Sequence, residues 1–376
     1  MSMNLIFWLS LALVILGIAE KARHRRFLRR IPIRILVNGT RGKTSVTRLL
    51  AAALNEAGIR TYAKCTGTLA VSIAPSGEQS LTKRKHGASM REMLSFVRLA
   101  ARDKADAIVV ECMAVQPDLQ KVFSRGFVQP TLALITNARV DHTEEMGQSE
   151  TETAAALASV IVPSASVIAA DVFSPYTEKL VLPDASVSAE ELEGFSYPVY
   201  ADNLAMVFTA LEQFRVPRSI ALRGMRRAIP DLGMVGPFHI ENAVVVNGFA
   251  ANDAESSGVL LEHSVTDAKR WVFIYNHRED RMYRLQAFLP FFRAHAHCCE
   301  RIYVIGDASK RIVRYMARKT GISCEKGGTD EAFIRNLCKA EKAILCLGNI
   351  RGAGEVWIGQ CMRMEVGQPC CKVQLD

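Results

Sequence analysis

Residues 33–58 read Ile-Arg-Ile-Leu-Val-Asn-Gly-Thr-Arg-Gly-Lys-Thr-Ser-Val-Thr-Arg-Leu-Leu-Ala-Ala-Ala-Leu-Asn-Glu-Ala-Gly. The apolar run 33–37 predicts a β-strand, and the helical pattern over 46–57 stops at Gly58. Between them, residues 38–45 form a short loop that contains two glycines. A strand, a glycine loop ending in Lys-Thr and a helix, in this order, are typical of a phosphate-binding loop.

The loop residues are candidate nucleotide ligands because small residues let backbone N–H groups close around phosphate oxygens. The helix that follows points the positive end of its dipole at the same place. Lys43 is predicted to reach the terminal phosphates, and the Thr44 hydroxyl to ligate Mg²⁺. The usual pattern has a glycine where this chain has Val37, so an ordinary glycine turn is the alternative. The candidates are Asn38, Gly39, Thr40, Arg41, Gly42, Lys43, Thr44 and Ser45.

The composition is that of a globular protein, and the 376 residues suggest two domains. The net charge is +9, but much of it comes from one block: Lys21, Arg23, Arg25, Arg26, Arg29 and Arg30. The rest of the chain is only mildly basic and lacks a basic stripe interleaved with aromatic residues. We therefore expect no nucleic-acid partner.

An uncharged run from Met1 to Ala19 precedes this basic block. Its length is at the short end of what spans a bilayer, and a secretory signal would carry its charges before the apolar run. We therefore expect residues 1–20 to be a single transmembrane anchor in the inner membrane, with the catalytic part in the cytoplasm. Residues 21–30 would be a basic juxtamembrane segment that attracts anionic lipid. The alternative is an N-terminal helix buried in the protein.

The ten cysteines include no Cys-x-x-Cys spacing, and most lie near the C-terminus. Adjacent pairs such as Cys298-Cys299 are poor zinc ligands, and a cytoplasmic location keeps thiols reduced. We expect buried apolar thiols, with redox or metal chemistry as the alternative.

Short apolar runs of β type alternate with helical patterns along the rest of the chain. Strands are predicted at 59–64, 107–110, 131–136, 167–170, 244–249, 272–275, 302–305 and 344–347. Helices are predicted near 89–101, 151–160, 203–214, 281–295, 309–319 and 331–339. This alternation indicates an α/β protein with mainly parallel sheets.

Residues 230–237 are rich in proline and glycine, which indicates a linker between domains. We therefore predict a P-loop-type ATPase domain with a mainly parallel sheet over residues 31–236. A smaller, Rossmann-like α/β domain would follow over residues 237–376.

Two further stretches place polar side chains where predicted strands end, which is where ligands bind in open α/β sheets. Glu111 follows the apolar run 107–110, and a carboxylate in that position is costly unless it meets a cation. Glu111 is therefore a candidate Mg²⁺ ligand. Asp141 and His142 follow the run 131–136 and bring a carboxylate and an imidazole to the same edge. A lone Asp-His could equally be a turn, but the strand context favours a site.

With these pieces the chain resembles the Mur ligase superfamily of ATP-dependent amide-forming enzymes. The phosphate loop of that family reads G-T-x-G-K-[TS], as residues 39–44 do, and this explains the missing first glycine. Its T-N-x-x-x-D-H segment matches residues 136–142. The resemblance implies ATP and Mg²⁺ as cofactors, Thr44, Glu111 and His142 as metal ligands, and Asn137 in the nucleotide site.

Other implied nucleotide ligands lie further along the chain. Asn203, which opens a helix, is similar to the family's adenine-side asparagine. Residues 247–253 are similar to a motif at the start of the C-terminal domain, which adds Asn247, Asn252 and Asp253. Arg278 and Arg281 could reach phosphate or substrate carboxylates when that domain closes. Surface salt bridges are the equally open alternative for both arginines.

Within the superfamily, residues 31 to about 356 are similar to the ligase subunits that make poly-γ-glutamate for capsules. The motifs are residues 111–115, 249–253, 276–281 and 347–352. This resemblance implies that glutamate is added to a growing poly-γ-glutamate chain through an acyl phosphate, with release of ADP. Lys43, Glu111, His142, Arg278 and Arg281 would be the catalytic residues. The implied partners are small membrane subunits of a synthase and export complex, with self-association a further expectation.

Two departures from the superfamily bear on this interpretation. Peptidoglycan ligases have a carbamylated lysine that holds a second Mg²⁺ soon after the histidine, whereas no lysine lies between His142 and Lys179. Either one metal suffices, or Glu144, Glu145 or Glu150 supplies the ligand. Asn247 also stands where many relatives have aspartate. The competing class is a membrane-tethered regulatory P-loop ATPase without ligase activity.

Overall fold

The computed structural model describes residues 3–67, 70–82, 88–184, 186–195, 197, 199–231, 237–249, 254–263 and 270–364. The described residues up to Ile229, apart from Tyr197, form one compact unit, and Tyr197 and those from Pro230 onward belong to a second unit. Each unit is an α/β layer structure built on its own sheet.

The sheet of the N-terminal unit has eight strands in the order β4-β3-β2-β5-β1-β6-β7-β8. Strands β2, β5, β1, β6, β7 and β8 run parallel, and β3 and β4 form an antiparallel edge. The strands are β1 (Ile33–Asn38), β2 (Thr61–Cys65), β3 (Val71–Ile73), β4 (Gln79–Leu81), β5 (Ala107–Glu111), β6 (Leu132–Ile135), β7 (Ser166–Ala169) and β8 (Leu180–Val181).

Helices cover this sheet, and α2, which follows the glycine loop, packs against two of them, α8 and α9. The contact with α9 is close because a Cβ at Gly224 would lie 2.7 Å from the carbonyl oxygen of Ala52. The helices are α1 (Met3–Leu28), α2 (Lys43–Glu56), α3 (Glu92–Arg102), α4 (Pro117–Val122), α5 (Thr143–Met146), α6 (Glu150–Leu157), α7 (Ala189–Leu192), α8 (Ala201–Glu212) and α9 (Arg218–Arg226). Helix α4 continues into a π-helical turn at Phe123–Val128.

Helix α1 runs without a break from Met3 to Leu28, through the described part of the predicted anchor and most of the basic segment. Its C-terminal part is fixed to the unit, because the His24 imidazole bonds the carbonyl oxygen of Phe127 at 2.8 Å and Arg91 pairs with Glu20 at 3.0 Å. Its large apolar side chains between residues 6 and 18 are exposed. Ile6, at the start of this stretch, is 51% exposed, and Ile18, at its end, is 63% exposed. The alternative of a buried N-terminal helix therefore does not hold for this part.

The predicted transmembrane anchor over residues 1–20 is not supported either. Among the residues that the structure describes, no helix combines the length and the apolar content that a membrane crossing requires. The exposed apolar run of α1 rises only about 20 Å, whereas the hydrocarbon core of a bilayer is about 30 Å thick. Beyond that run the same helix carries the charged residues Glu20, Lys21 and Arg23.

The sheet of the C-terminal unit has six strands in the order β13-β12-β11-β14-β10-β9, parallel except for β9. One apolar cluster contains Trp357 and includes buried residues of α13 and α14. Another contains Phe288 and Phe292 and includes buried residues of α11. The strands are β9 (Phe238–Ile240), β10 (Ala243–Asn247), β11 (Trp271–His277), β12 (Cys299–Gly306), β13 (Ser323–Lys326) and β14 (Ala343–Gly348). The helices are α10 (Ala254–His263), α11 (Met282–Ala294), α12 (Lys310–Thr320), α13 (Glu331–Ala340) and α14 (Ala353–Met364).

The prediction of a mixed α/β fold with mainly parallel sheets is confirmed. Each predicted strand and helix has a counterpart within a few residues. The antiparallel strands β3, β4 and β9 were not predicted, because they are short and lack a strong apolar pattern. The described cysteines are free thiols, and most are buried, as expected.

Candidate functional site in the N-terminal unit

The predicted phosphate loop lies where the parallel strands β1, β5 and β6 end side by side. In register, Val37 of β1 lies beside Glu111 of β5, and Asn38 lies beside Ile135 of β6. The loop borders a cavity of about 190 Å³. Its lining combines loop residues with residues after β2 and β5 and with His142: Asn38, Gly39, Thr40, Lys43, Thr66, Gly67, Glu111, Cys112, Met113, Ala114, Val115, His142 and Met146.

The loop needs its two glycines for different reasons. Gly39 has φ +126°, and a Cβ there would collide with the Thr136 hydroxyl. Gly42 has φ +82°, and a Cβ there would lie 2.6 Å from Oδ1 of Asn203. Because side chains other than glycine rarely adopt these angles, both positions favour glycine on strain and on space. The structure thereby places Asn203 of α8 against the loop, although its predicted contact with adenine stays a prediction.

The segment Thr136-Asn137 holds the loop from the side. The Thr40 hydroxyl donates to Oδ1 of Asn137 at 2.5 Å, and Nδ2 of Asn137 donates to the carbonyl oxygen of Arg41 at 3.2 Å. The backbone N–H of Arg41 also points to Oδ1 of Asn137, at 3.3 Å. Asn137 therefore shapes the loop from its neighbouring strand, which is a positioning role next to the predicted nucleotide contact.

Lys43 is the first residue of helix α2, and its ammonium lies against the loop. It donates to the carbonyl oxygens of Gly39 at 2.6 Å and Thr40 at 3.2 Å. The first turn of α2, which includes Ser45, carries no acidic side chain. The N-terminus of α2 and the Lys43 ammonium thus bring positive potential to one point, as an anionic phosphate requires.

Glu111 and Thr44 form the centre of the site. Glu111 is 3% exposed, and its Oε2 accepts hydrogen bonds from the Thr44 hydroxyl at 3.0 Å and from the backbone N–H of Thr66 at 2.7 Å. A Cβ at Gly67 would collide with the Thr44 hydroxyl, so the Thr66-Gly67 backbone lies directly against this pair. Thr66-Gly67 had no local signal in the sequence, because their role comes from the close approach of the loop after β2.

Asp141 and His142 lie at the same edge. Asp141 pairs with Arg41 of the loop at 3.5 Å and accepts the backbone N–H of His142 at 2.9 Å. His142 has a left-handed backbone, φ +48°, and begins α5 while lining the cavity. Left-handed backbone at a residue with a side chain costs about 1–2 kcal/mol. The Arg41–Asp141 pair links the loop to the strand segment that carries His142.

The residues of this edge are suited to a metal that also binds phosphate. Within the described residues, no group of three or more His, Cys, Asp and Glu side chains forms a metal site on its own. Glu144, Glu145 and Glu150 are exposed, and the replacement of the missing lysine by one of them stays a prediction. Mg²⁺ commonly takes one or two carboxylates together with substrate phosphates and water. The Thr44–Glu111 pair beside the loop fits that requirement, with His142 lining the same cavity.

The Cys112 thiol also borders the cavity, but burial raises its pKa to about 12. This shift favours the thiol over the thiolate, which is the nucleophilic form, at neutral pH. This agrees with the expectation of buried apolar thiols.

The Asn38 side chain has a different environment from the one predicted. Asn38 is 2% exposed, and its Nδ2 donates to Oε1 of Gln120 at 2.7 Å and to the carbonyl oxygen of Leu157 at 3.2 Å. Gln120 is fully buried and donates to the carbonyl oxygen of Val115 at 2.6 Å. The side chain of Asn38 thus ties β1 to α4 and α6. Sequence analysis missed Gln120, whose partner Asn38 lies 82 residues away in the chain.

The C-terminal unit presents its own row of polar residues at the ends of β10, β11 and β14. Asn247 ends β10 and is buried, whereas Asn252 and Asp253 lie outside the described residues. Arg278 pairs with Asp280 through two bonds, of 3.0 and 2.7 Å, and Arg281 donates to the Tyr283 hydroxyl at 2.8 Å. Both arginines thus have Asp280 as an ion-pair partner, at 2.7 Å for Arg278 and 3.9 Å for Arg281, and their contact with phosphate or substrate carboxylates stays a prediction.

A third arginine of this edge, Arg284, was missed by sequence analysis. Arg284 donates to Oδ1 of Asn349, and Asn276 donates to the carbonyl oxygens of Asn349 and Arg351. His277 ends β11 fully buried, and burial lowers its pKa below the ordinary value. Residues 276–277 and 349–351 belong to motifs noted in the sequence, but the guanidinium of Arg284 comes from α11 and had no local signal.

Comparisons with known proteins agree with this arrangement. Residues 37–249 match the Mur ligase middle domain, and residues 235–364 match the poly-gamma-glutamate synthase CapB C-terminal domain. The capsule biosynthesis protein CapB of Bacillus anthracis is 32% identical over 96% of this chain and 83% of that protein. The PGA synthase CapB of Bacillus subtilis is 33% identical over 95% of this chain and 97% of that protein. The resemblance to the superfamily, and within it to poly-γ-glutamate synthases, is confirmed.

A solved structure has the same fold. The bifunctional folylpolyglutamate synthase/dihydrofolate synthase of Yersinia pestis, complexed with AMPPNP and a Mn ion, aligns with a TM-score of 0.65. The alignment covers 90% of this chain and 91% of that one, at 17% sequence identity. At this identity the likeness concerns the fold alone.

Proposed function

The chain belongs to the Mur ligase family and is an ATP-dependent amide ligase, and from this premise we propose that it adds glutamate to a poly-γ-glutamate chain. The identity of the substrate is supported by the match of residues 235–364 to the CapB C-terminal domain. Relatives named for capsule biosynthesis and PGA synthesis, aligned over nearly the whole chain, support it as well.

The observation that carries the chemistry is the Thr44–Glu111 hydrogen bond of 3.0 Å beside the Lys43 loop. Phosphoryl transfer depends on positioning and charge stabilisation more than on a protein nucleophile. Lys43 and the N-terminus of α2 bring positive potential to the phosphates. Thr44 and Glu111 would hold Mg²⁺, with His142 as the further proposed ligand, and the ion would neutralise phosphate charge when bound.

The proposed reaction has two steps. An oxygen of the substrate carboxylate attacks the γ-phosphorus, the bond from that phosphorus to the bridging oxygen breaks, and ADP leaves. The amine of the second substrate then attacks the acyl carbon, the bond from carbon to the phosphate oxygen breaks, and inorganic phosphate leaves. The nitrogen loses a proton as the amide forms.

We place the amino-acid substrate on the polar edge of the C-terminal unit. Arg284 is half-buried and held by Asn349, so its guanidinium is fixed in direction. Arg278 is bound to Asp280 in the same loop, so its charge is partly satisfied. A planar guanidinium binds a carboxylate through two parallel hydrogen bonds. Arg284 is therefore a further candidate for the substrate carboxylate, beside Arg278 and Arg281.

We also propose that the enzyme acts at the cytoplasmic face of the inner membrane, beside small membrane subunits. The exposed apolar side chains of α1 and the basic residues 21–30 support this location. Insertion of the apolar stretch into one side of a bilayer would cover it, and nearby cations would attract anionic lipid. Sedimentation with vesicles that contain anionic lipid tests the proposal, and Leu13→Ser/Leu16→Ser should reduce the bound fraction several-fold. Equal sedimentation of the variant would contradict it.

ADP release by the purified full chain tests the ligase proposal. We expect ADP to form only when ATP, glutamate and a short γ-linked glutamate oligomer are all present, and mass spectrometry should find the oligomer longer by one glutamate. Lys43→Ala should abolish both signals. Steady ATP hydrolysis that ignores glutamate and oligomer would favour the regulatory ATPase and remove the proposal.

A further inference from the structure

A second cavity of the N-terminal unit lies apart from the phosphate loop and has no role in the proposed reaction. It is an open cleft of about 660 Å³, more than three times the volume of the cavity at the loop. Its walls are the π-helical turn 123–128, the end of α6 and the segment 174–179. Its polar lining consists of two cations, four hydroxyls and one carboxylate: Arg125, Lys179, Ser159, Ser174, Tyr176, Thr177 and Glu178.

The two cations are available for a ligand. Arg125 and Lys179 are exposed, and neither has an ion-pair partner within the described part of the chain. Arg125 lies on the π-helical turn, and short π-helical segments occur often at functional sites. The backbone N–H of Gln129 donates to the carbonyl oxygen of Ser124 at 2.7 Å, and this bond closes the π-helical turn. Gln129 itself has a left-handed backbone.

The shape and charge of the cleft favour a chain over a small ion. Arg125 and Lys179 share the cleft with four hydroxyls, so a ligand with several carboxylates can contact more of this lining than one compact anion can. Alanine, isoleucine and proline side chains supply apolar surface between the hydroxyls. A ligand that alternates carboxylates with methylene groups can use both kinds of surface along its length. Volumes of about 300–1,000 Å³ are typical of pockets that hold such medium-sized ligands.

The cleft is connected to the phosphate loop by buried hydrogen bonds. Ser159, which lines the cleft, donates to Oε1 of Gln120 at 3.5 Å. The same oxygen accepts from Asn38 at 2.7 Å, and Gln120 donates to Val115 of the loop cavity at 2.6 Å. Asn38 also bonds the carbonyl oxygen of Leu157, immediately before the cleft residues 158–159. One fully buried side chain therefore touches both sites.

We propose that this cleft is a second binding site, which holds several glutamyl units of the γ-linked polymer and is coupled to the phosphate loop through Gln120. The identity of the ligand rests on the proposed function. The cleft keeps the bound chain on the enzyme between additions, and its occupancy changes the affinity of the loop for ATP. By linkage, ATP changes the affinity of the cleft for the chain by the same factor.

Fluorescence anisotropy with a labelled γ-linked glutamate octamer and the full chain, without nucleotide, tests the site. Arg125→Gln/Lys179→Gln should weaken binding about fivefold, the sum of two exposed charge contacts. The matched control is Arg98→Gln/Arg102→Gln, which removes the same charge from exposed positions of α3 and should stay within about twofold of wild type. Tyr176→Ala, which keeps all charges, should also weaken binding. Equal binding by wild type and both cleft variants overturns the proposal.

Two further arms identify the ligand and the coupling. Inorganic phosphate at the same charge concentration should not displace the octamer, and displacement would make the cleft a general anion site and overturn the chain assignment. Octamer should shift the Kd for ATP about fivefold in wild type, and Ser159→Ala should lose this shift even at octamer concentrations that saturate its own cleft. An unchanged shift in Ser159→Ala refutes the coupling. Octamer binding without glutamate-dependent ADP release would leave the cleft standing while removing the proposed function.

Discussion

Gln120→Met replaces a fully buried polar side chain by an apolar one of nearly the same size. It removes the acceptor of the Asn38 amide at 2.7 Å, the donor to Val115 at 2.6 Å and the longer contact with Ser159. Because the volume is conserved, the change creates little cavity, and its effect reports the hydrogen bonds alone. Asn38 keeps its bond to Leu157, so one of its two donor positions stays satisfied.

The expected loss follows from what is left without a partner. A buried polar group deprived of its hydrogen bond costs about 1–3 kcal/mol, and two such groups remain, one on Asn38 and one on Val115. We therefore expect the free energy of unfolding of the N-terminal unit to fall by about 2–6 kcal/mol. For a unit of about this size, 1 kcal/mol lowers Tm by about 2–4 °C, so the midpoint should fall by about 4–24 °C.

Thermal unfolding followed by far-UV circular dichroism measures this effect. The matched control is Gln213→Met, the same chemical change at an exposed position at the end of α8, which should shift the midpoint by about 1 °C or less. If Gln120→Met melts no lower than Gln213→Met, the buried network does not stabilise the unit and the reasoning is refuted.

Three other predictions concern the site and the C-terminal unit. Thr44→Val should lower the rate of ADP release about 100-fold, because it removes the hydroxyl that would ligate the metal at the phosphates. Thr44→Ser keeps the hydroxyl and should keep most of the rate. Equal rates for the valine and serine variants would contradict this role. Gly42→Ala should raise the KM for ATP about tenfold or more, because the new Cβ would collide with Asn203. The control is Gly58→Ala, where φ is +81° but the space around the Cβ is open. It shares only the backbone strain of about 1 kcal/mol and should leave the KM unchanged. The pKa of His277 in the folded state is lowered below its ordinary 6.5, so the unfolded state gains a proton first as pH falls. The contribution of His277 to the free energy of unfolding is therefore fully present above about pH 6.5 and is lost as pH falls below it. Unfolding followed by the fluorescence of Trp271 and Trp357 should show this decline in stability at low pH. His277→Gln should make stability depend less on pH, whereas the control His297→Gln, at an exposed position, should leave the pH dependence unchanged.

The sequence was sufficient for the parts of the site that lie next to a strand end. Strand, loop and helix are local patterns, so the loop 38–45 and Glu111 could be located from the order of residues alone. Asn38 shows where local reasoning stops, because its position in the motif indicated a nucleotide contact while its side chain bonds residues 82 and 119 positions away. Thr66-Gly67 and Arg284 are likewise brought to their sites by packing between elements distant in sequence.

The N-terminal prediction failed for a related reason. Hydropathy along the chain joined the apolar run and the basic block into an anchor with a cytoplasmic flank. In the structure one helix carries both, and its C-terminal part is tied to the catalytic unit through His24 and Glu20. The partners of those two side chains, Phe127 and Arg91, could not be inferred from residues 1–30.

The left-handed backbone at His142 has a consequence for protein engineering. Glycine would relieve about 1–2 kcal/mol of strain there, and asparagine would relieve part of it. A selection for thermal stability alone should therefore enrich glycine or asparagine at position 142 and yield folded proteins with little ligase activity. A selection that also requires polymer should restore histidine. Position 142 is thus a single site at which the two selections are expected to pull the sequence in opposite directions.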